Sequence, residues 1–421
     1  MLKRPSVIAG VSLVVLAAGL AGSPALTQEG SAPVARYTMD AGTTSGMMAM
    51  GGGGGGVGAA LGLLGGGGGG NQVAHELVLR LGSSRAPEGA PEADHFLPAG
   101  ARLGTSVPLE TPQRGQSAPR DDTPAQPGQA QLPQGRLLLF WGCGEHAGPG
   151  QPVAIDFSRL ARGEVPPGLY AQNLNLPDDW TISAGNSKTF GDWPNGRDAK
   201  PVPANASLLG AHRVVSTYAP EIAFTLADDF MPPLQASGRE LPSGAVALSW
   251  GALPKATGYY AWGIGAGADG GNSRDMVWWA SSSTQQFGGP MADWISPSTA
   301  ARLVQAGTVM APSQTSCTVP AEVRAAGGPM LMTQLYAYGP QADFAYPPRP
   351  ANARTPWKPE WIARVRFRAN TMIMAGMPGL SDTGQRGGSS APSAAPPPPQ
   401  GKPKCGRGLR AIAERAAGLC E

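Results

Sequence analysis

The segment Cys143–His146 places a thiol, a carboxylate and an imidazole side by side, directly after an apolar run. A Cys–His nucleophile pair needs two side chains that face each other, and neighbouring residues in a loop rarely do so. The sequence offers few other partners, since its histidines are His75, His95, His146 and His212. We therefore expect a structural cysteine at position 143, and a hydrolase that uses His146 is the third of three functional hypotheses.

A glycine-rich loop at Gly265–Gly270 matches the letters of the dinucleotide fingerprint G-x-G-x-x-G. That site needs a helix N-terminus next, because helix amides hold the pyrophosphate. The residues that follow, Met276–Trp279, have the pattern of a strand instead. Asp269, Asn272 and Asp275 offer oxygen ligands for calcium, but their spacing fits no EF-hand. We predict a hairpin loop here, with no cofactor and no metal.

Tryptophan is frequent, with ten residues in the chain. Trp278 and Trp279 are adjacent, so a strand would point one of them inward and the other outward. Trp294 lies in turn-rich sequence beside Asp293. Exposed aromatic rings could stack on sugars, although large aromatic residues also fill cores. The second functional hypothesis is therefore a carbohydrate-binding module with Trp278, Trp279 and Trp294 as the stacking residues.

Charge and motif content exclude several classes of protein. Charged residues make up 14% of the chain, against about 25% in a typical soluble domain. Without Lys3 and Arg4 the chain holds 30 basic and 29 acidic residues. This balance argues against a polyanionic partner, and we predict no binding to nucleic acid. The sequence also lacks the G-x-S-x-G, H-E-x-x-H and P-loop motifs of common hydrolases and NTPases.

The N-terminus has the pattern of a secretory signal peptide. Lys3 and Arg4 precede the apolar stretch Val7–Ala21, and the small residues of Ser23–Ala25 follow it. An uncleaved membrane anchor is the alternative, because the apolar stretch is close to spanning length. We predict export to the periplasm, the outer-membrane surface or the medium.

Export favours disulfides among Cys143, Cys317, Cys405 and Cys420. The most economical of the three pairings joins Cys143 to Cys317 and Cys405 to Cys420. The second bridge meets an objection, since residues 408–419 have a helical pattern that would hold those cysteines about 15 Å apart. Either that helix is short or these cysteines pair elsewhere, for example between chains. Zinc ligation is a weaker alternative, because no Cys-x-x-Cys or Cys/His spacing occurs.

The intervening sequence alternates between short apolar segments and turns rich in Gly and Pro, which is typical of an all-β fold. Strand patterns occur at 74–81, 136–141, 152–157, 221–226, 245–250, 259–264, 276–279, 330–338 and 361–367. One helix is indicated at Thr299–Ala306, with Ser296 as its cap and Gly307 at its end. We predict two β-sandwich-type domains with low-complexity Gly- and Pro-rich extensions and one or two short helices.

A strand ending in Trp250 is followed by a Pro/Ala/Gly turn at Leu253–Gly258 and a strand that begins with Tyr259. Together with the later strands at Met330–Tyr338 and Trp361–Phe367, this resembles a fibronectin type III domain. The resemblance covers about residues 241–375 and departs from the pattern by an insertion around Ala266–Ser316. It implies a β-sandwich and carries almost no information about function.

The predicted organisation has six parts. These are a signal peptide at 1–25, a low-complexity glycine-rich segment at 26–72, an N-terminal β domain at 73–240 with a Pro/Gln-rich loop at 111–134, a fibronectin type III-like sandwich at 241–377, a proline-rich linker at 378–404 and a basic helical tail at 405–421. The glycine-rich segment has no charged residue from Ala41 to Ala74. A flexible linker is the main interpretation of it, and peripheral membrane contact is the alternative.

The leading functional hypothesis is an exported cell-envelope protein with a structural, adhesion or protein-binding role and no catalysis. Its partner would be a protein or an envelope polysaccharide. The signal, the linkers and the lack of a coherent catalytic set support it. Carbohydrate binding and an envelope hydrolase follow as the second and third hypotheses.

Overall fold

Alternating apolar and polar residues form strands along most of the chain, as expected for an all-β protein. The computed structural model describes residues 32–46, 49, 73–112, 135–164, 181–267, 275–287, 289–328, 331–352 and 355–375. Several predictions lie outside these residues and are not taken further in the fold. They concern the signal peptide, the glycine runs, the proline-rich linker, and the basic tail with Cys405 and Cys420.

The described residues form sixteen strands and three short α-helices, which confirms the all-β class. The strands are β1 (Ala35–Gly46), β2 (Val73–Ser83), β3 (Ala93–Phe96), β4 (Ser106–Pro108), β5 (Arg136–Trp141), β6 (Val153–Asp156), β7 (Thr189–Trp193), β8 (Gly210–Ser216), β9 (Ile222–Leu226), β10 (Ala236–Glu240), β11 (Val246–Trp250), β12 (Gly258–Ala266), β13 (Met276–Ala280), β14 (Ser316–Val319), β15 (Leu331–Tyr346) and β16 (Trp361–Ala375). The helices are α1 (Phe157–Ala161), α2 (Pro297–Gln305) and α3 (Ala321–Gly327).

Nine of these strands form one large sheet in the order β6-β5-β13-β12-β15-β16-β1-β2-β7. Most neighbours in it are antiparallel, but β1 pairs in parallel with β16 and β5 in parallel with β13. Two smaller sheets accompany it, one with the order β10-β11-β14 and one with the order β4-β3-β8-β9.

Both smaller sheets pack on the same side of the large sheet, which we call the inner face. In β1 this side carries Tyr37 and Met39, which are fully buried. Tyr37 contacts Phe224 of the four-stranded sheet, with ring centres 6.1 Å apart. At Gly238 of the three-stranded sheet, an added Cβ would lie 3.5 Å from Ile373 of β16. The inner face and the two smaller sheets therefore share one hydrophobic core.

The opposite side of the large sheet, the outer face, carries Asp40 in β1 and Arg366 in β16. The helix α2 covers its middle, where Ala300 and Leu303 pack in one cluster with Tyr260 and Tyr336. This helix confirms the sequence prediction, because the Ser296 hydroxyl caps it by accepting the Thr299 amide at 3.2 Å. Its end is also as expected, with a left-handed glycine at Gly307.

The large sheet crosses the boundary that the sequence suggests between residues 240 and 241. It joins β2, β5, β6 and β7 from one predicted domain to β12, β13, β15 and β16 from the other, and β1 from the predicted low-complexity segment. The reason is a continuous hydrogen-bonded ladder, since β5 pairs with β13 and β1 pairs with β16. The described strands do not identify a fibronectin type III module, and that resemblance stays a prediction.

Candidate functional site

The segment Cys143–His146 forms a covalent link instead of a reactive pair. Cys143, just after β5, is disulfide-bonded to Cys317 in β14, with Cα atoms 5.0 Å apart. This is the predicted pairing, and it ties the large sheet to the three-stranded sheet. Since the sulfur of Cys143 is bonded, it is not available as a thiolate nucleophile in this state.

His146 faces an acidic side chain instead of Cys143. Its Nδ1 lies 3.1 Å from Oε1 of Glu322 in α3. The amide of Ala147 donates to the other carboxylate oxygen of Glu322 at 2.9 Å, and this bond is the main reason that the pKa of Glu322 is lowered. The pair borders an open depression of about 490 Å³ that Ser243 and Arg324 also line. The imidazole is 70% exposed, so the pair lacks the desolvation that tunes most catalytic bases.

The three candidate stacking tryptophans do not form a common platform. Trp278 and Trp279 point to opposite faces, as strand alternation requires, but their residues are only 8% and 0% exposed. Trp279 donates its indole N–H to the Gly142 carbonyl at 2.9 Å within the core. Neighbouring side chains cover the outward ring, so it is buried as well.

The outward ring, Trp278, packs inside the protein. It stacks on Trp262 with ring centres 4.7 Å apart, and Phe287 contacts its edge. Trp294 is half-buried on the outer face, where the Arg368 guanidinium lies 4.0 Å from its ring centre. These rings are therefore engaged with protein side chains.

A buried ionic group on the outer face was not anticipated from the sequence. Asp40 has no exposed area and accepts two hydrogen bonds from Arg366, at 2.7 and 2.9 Å, and one from Arg80 at 3.2 Å. Burial raises the pKa of the Asp40 carboxyl, and the two guanidinium groups oppose that rise. Arg368 extends the group by donating to Glu76 at 3.0 Å. The signal for it in the sequence is the Arg-x-Arg-x-Arg alternation of β16.

An apolar surface occupies the other end of the outer face, where β12, β13, β15 and β16 lie together. Met374, Met332 and Ile264 are direct cross-strand neighbours in successive strands. Met276 lies two residues before Trp278 on the same side of β13, and Phe287 contacts Trp278. We call this set the methionine patch: Ile264, Met276, Phe287, Met332 and Met374.

The methionine patch is open to solvent. Met276, Phe287 and Met332 are 39%, 40% and 41% exposed, and Ile264 and Met374 are half-buried. Of the other large apolar residues in the described chain, only Leu209 and Tyr346 are as exposed. Grouping of this kind marks an interaction surface more often than isolated exposed residues do.

The described residues contain no group of three His, Cys, Asp or Glu side chains able to hold a metal ion. None of the helices described has the length and apolar character to span a bilayer. Asp275, the described member of the calcium candidates, is engaged with Arg136 at 2.6 Å.

Comparison of the sequence with known proteins does not place it in a family. No family model matches the chain, and no curated protein matches it either.

Proposed function

We propose that this chain is an exported, non-catalytic protein of the cell envelope that binds another envelope protein through the methionine patch. The observation that carries the proposal is the cross-strand row Met374–Met332–Ile264, which is apolar, accessible and continuous. Export rests on the signal-like N-terminus at Met1–Ala25.

The chemistry of the patch favours a protein as the partner. Methionine is enriched in protein interfaces and, being unbranched and polarizable, adapts its shape to an apolar partner surface. A sugar site would instead require an open aromatic ring flanked by free hydrogen-bonding groups. Trp278 and Trp279 are too buried to provide one, and Trp294 is occupied by Arg368. Burial of these rings supports the protein partner over the polysaccharide.

Among the residues that the structure describes, none provides an activated nucleophile near His146, which supports a binding role over hydrolysis. Cys143 is in a disulfide, and the His146–Glu322 pair is solvated. A hydrolytic activity of the purified protein that His146→Ala abolishes would overturn this part of the proposal.

We expect Met332→Glu to weaken binding at least about tenfold, because a charge at the centre of an apolar contact must be desolvated without a partner. The free energy of unfolding should change by less than about 1 kcal/mol, since the side chain is largely outside the core. Leu209→Glu is the matched control, because Leu209 is 49% exposed and does not belong to the patch.

The contact is measured by placing a photo-crosslinking amino acid at position 332 or 209 and irradiating the cells that make the protein. Position 332 should give one defined adduct in the envelope fraction, which is then identified and tested with purified proteins. Equal labelling from both positions would contradict the proposal. A dimer of the purified chain that Met332→Glu dissociates would assign the patch to a second copy and equally overturn it.

The intact mass of the protein from the envelope fraction checks whether residues 1–25 have been removed.

A further inference from the structure

A chain of hydrogen bonds runs through the core between the large sheet and the four-stranded sheet. The Tyr37 hydroxyl of β1 lies 2.6 Å from Nδ1 of His95 in β3. Nε2 of His95 lies 3.0 Å from Nδ1 of His212 in β8, whose Nε2 lies 2.7 Å from the Leu208 carbonyl. Tyr37 and His95 have no exposed area, and His212 is 1% exposed. Polar groups therefore join the two sheets at this point.

The Leu208 carbonyl fixes the direction of every bond in this chain. Because a carbonyl only accepts, Nε2 of His212 must carry a proton, and its Nδ1 then accepts from Nε2–H of His95. Nδ1 of His95 in turn accepts from the Tyr37 hydroxyl. Both imidazoles are neutral in this arrangement, and all four ring nitrogens are used.

The surroundings offer little to balance a positive charge. Phe224 stacks on His212 with an angle of 3° between the rings, and Phe344 stacks on Phe224. The charged groups on the elements around the chain already have other partners. These are Asp40 with Arg366, Asp94 with Ser106, Arg213 with Glu221, Asp229 with Ser207, and Asp343 with Arg364.

An added proton would reverse the Tyr37–His95 bond and leave the Tyr37 hydroxyl hydrogen without its acceptor. Only Nδ1 of His95 and Nδ1 of His212 have free valence for it, and each already faces a donor hydrogen. A cation would also be desolvated here, and burial lowers the pKa of His95 well below its usual range and that of His212 below it. Protonation is therefore unfavourable while the sheets are closed, and it becomes favourable in acid once they separate locally or the whole protein unfolds.

We propose that Tyr37, His95 and His212 form an acid-sensitive latch, which holds the four-stranded sheet on the large sheet at neutral pH and releases it in acid. The latch lies on the inner face and the methionine patch on the outer face, so either proposal stands if the other fails. The released sheet contains β3, β4, β8 and β9.

The direction in which pH changes the opening equilibrium follows from proton linkage. An exposed histidine titrates near pH 6.5, whereas these rings stay neutral while they are buried. The open state therefore binds more protons in acid, and closure weakens as the pH falls below about 6.5. If neither ring protonates while closed, the opening equilibrium rises up to about 30-fold per histidine between pH 8 and pH 5, or about 1,000-fold for both.

The first test uses the wild-type protein and nitrogen NMR of its four histidines, assigned with single His→Gln variants. Signals of His95 and His212 should remain those of neutral Nε2–H imidazole at a pH where added free imidazole is half protonated. Midpoints of His95 and His212 that coincide with free imidazole in the folded protein would overturn the latch.

The second test measures hydrogen exchange between pH 8 and pH 5, corrected for the intrinsic rate. Amides of β3 and β8 should lose protection by up to about 30-fold if one histidine is protonated and up to about 1,000-fold if both are. Amides of β15 and β16 should lose much less. Equal loss in both sheets, or no loss in either, would contradict local release. Tyr37→Phe should make the loss of protection between pH 8 and pH 5 smaller, because it frees Nδ1 of His95 to take a proton while the sheets are closed, so that fewer protons are taken up on opening. His146→Gln is the control and should leave the response unchanged.

Discussion

Asp40→Ala is expected to lower the free energy of unfolding by about 3–5 kcal/mol, the range for breaking a buried ion pair from one side. The carboxylate is fully buried and receives three hydrogen bonds from Arg366 and Arg80. The free energy of unfolding falls because the Arg366 guanidinium remains in the structure without its carboxylate partner. Arg366 is 17% exposed and would keep only the bond that it donates to the Trp294 carbonyl at 2.9 Å. Urea denaturation followed by tryptophan fluorescence measures the change.

A matched control lies on the same face of the sheet. Asp343 pairs with Arg364 at 2.8 Å, but its carboxylate is 52% exposed, so Asp343→Ala should cost less than about 1 kcal/mol. Since burial raises the pKa of Asp40 in spite of its partners, the pair itself contributes little net stability. The double variant Asp40→Leu/Arg366→Met should therefore recover part of the loss. Equal effects of Asp40→Ala and Asp343→Ala would refute this account.

Removal of the disulfide has the second large expected effect. Cys143→Ser/Cys317→Ser should lower the free energy of unfolding by about 2–5 kcal/mol, because the bridge closes a loop of 174 residues and restricts the unfolded chain. Urea midpoints of oxidised wild type, reduced wild type and the double variant measure this. Wild type and the double variant should differ when oxidised and should agree when both are reduced, since reduction also opens any bridge that Cys405 and Cys420 form.

Thiol counting makes the disulfide experiment decisive. Labelling of free thiols in the denatured wild type before reduction, located by peptide mass, reports whether Cys143 and Cys317 are bridged. A wild-type midpoint that is unchanged after complete reduction would show that the bridge adds no stability. Peptide mapping of the same sample tests the predicted pairing of Cys405 with Cys420.

The strands that sequence analysis predicts well are those with a clear local pattern. Segment 136–141 is a short apolar run, and segment 245–250 has apolar residues at every second position; they form β5 and β11 within one residue of the expected bounds. The helix α2 was predicted for an equally local reason, its Ser296 cap and Gly307 stop. Local sequence patterns are therefore enough to predict these strands and this helix, but they do not predict which strands pair with each other in a sheet.

The strand β1 shows why a central element escaped prediction. A strand buried on both sides usually has a continuous apolar run, but β1 buries Asp40, Thr43 and Ser45. Thr43 and Ser45 donate to the carbonyls of Met231 and Leu234, at 2.7 and 2.6 Å. Those acceptors are almost 190 residues away in sequence. Only the folded structure provides the partners that make such a polar segment suitable for a core.

Part of the candidate site could be predicted from the sequence and part of it could not. The pairing of Cys143 with Cys317 could be proposed from the even number of cysteines and the predicted export, as the most economical of three pairings, and the structure has it. The methionine patch could not, because Met276, Met332 and Met374 lie in three separate segments of the sequence. Only cross-strand pairing brings Met332 and Met374 together. The contact of Phe287 with Trp278 depends on a loop that has no strand pattern in the sequence.

The parallel pairing of β1 with β16 determines when the middle of the large sheet can form during synthesis. Ala35 lies opposite Trp361 and Gly46 opposite Met372, so the middle of the large sheet joins positions 326 residues apart. A ribosome makes β1 early and β16 late, and contacts of such long range slow folding. One edge of β1 therefore stays without its partner until the residues of β16, 326 positions later, have been synthesised. Such an open edge invites wrong pairing, so a holding factor during synthesis would act on the Ala35–Gly46 edge first.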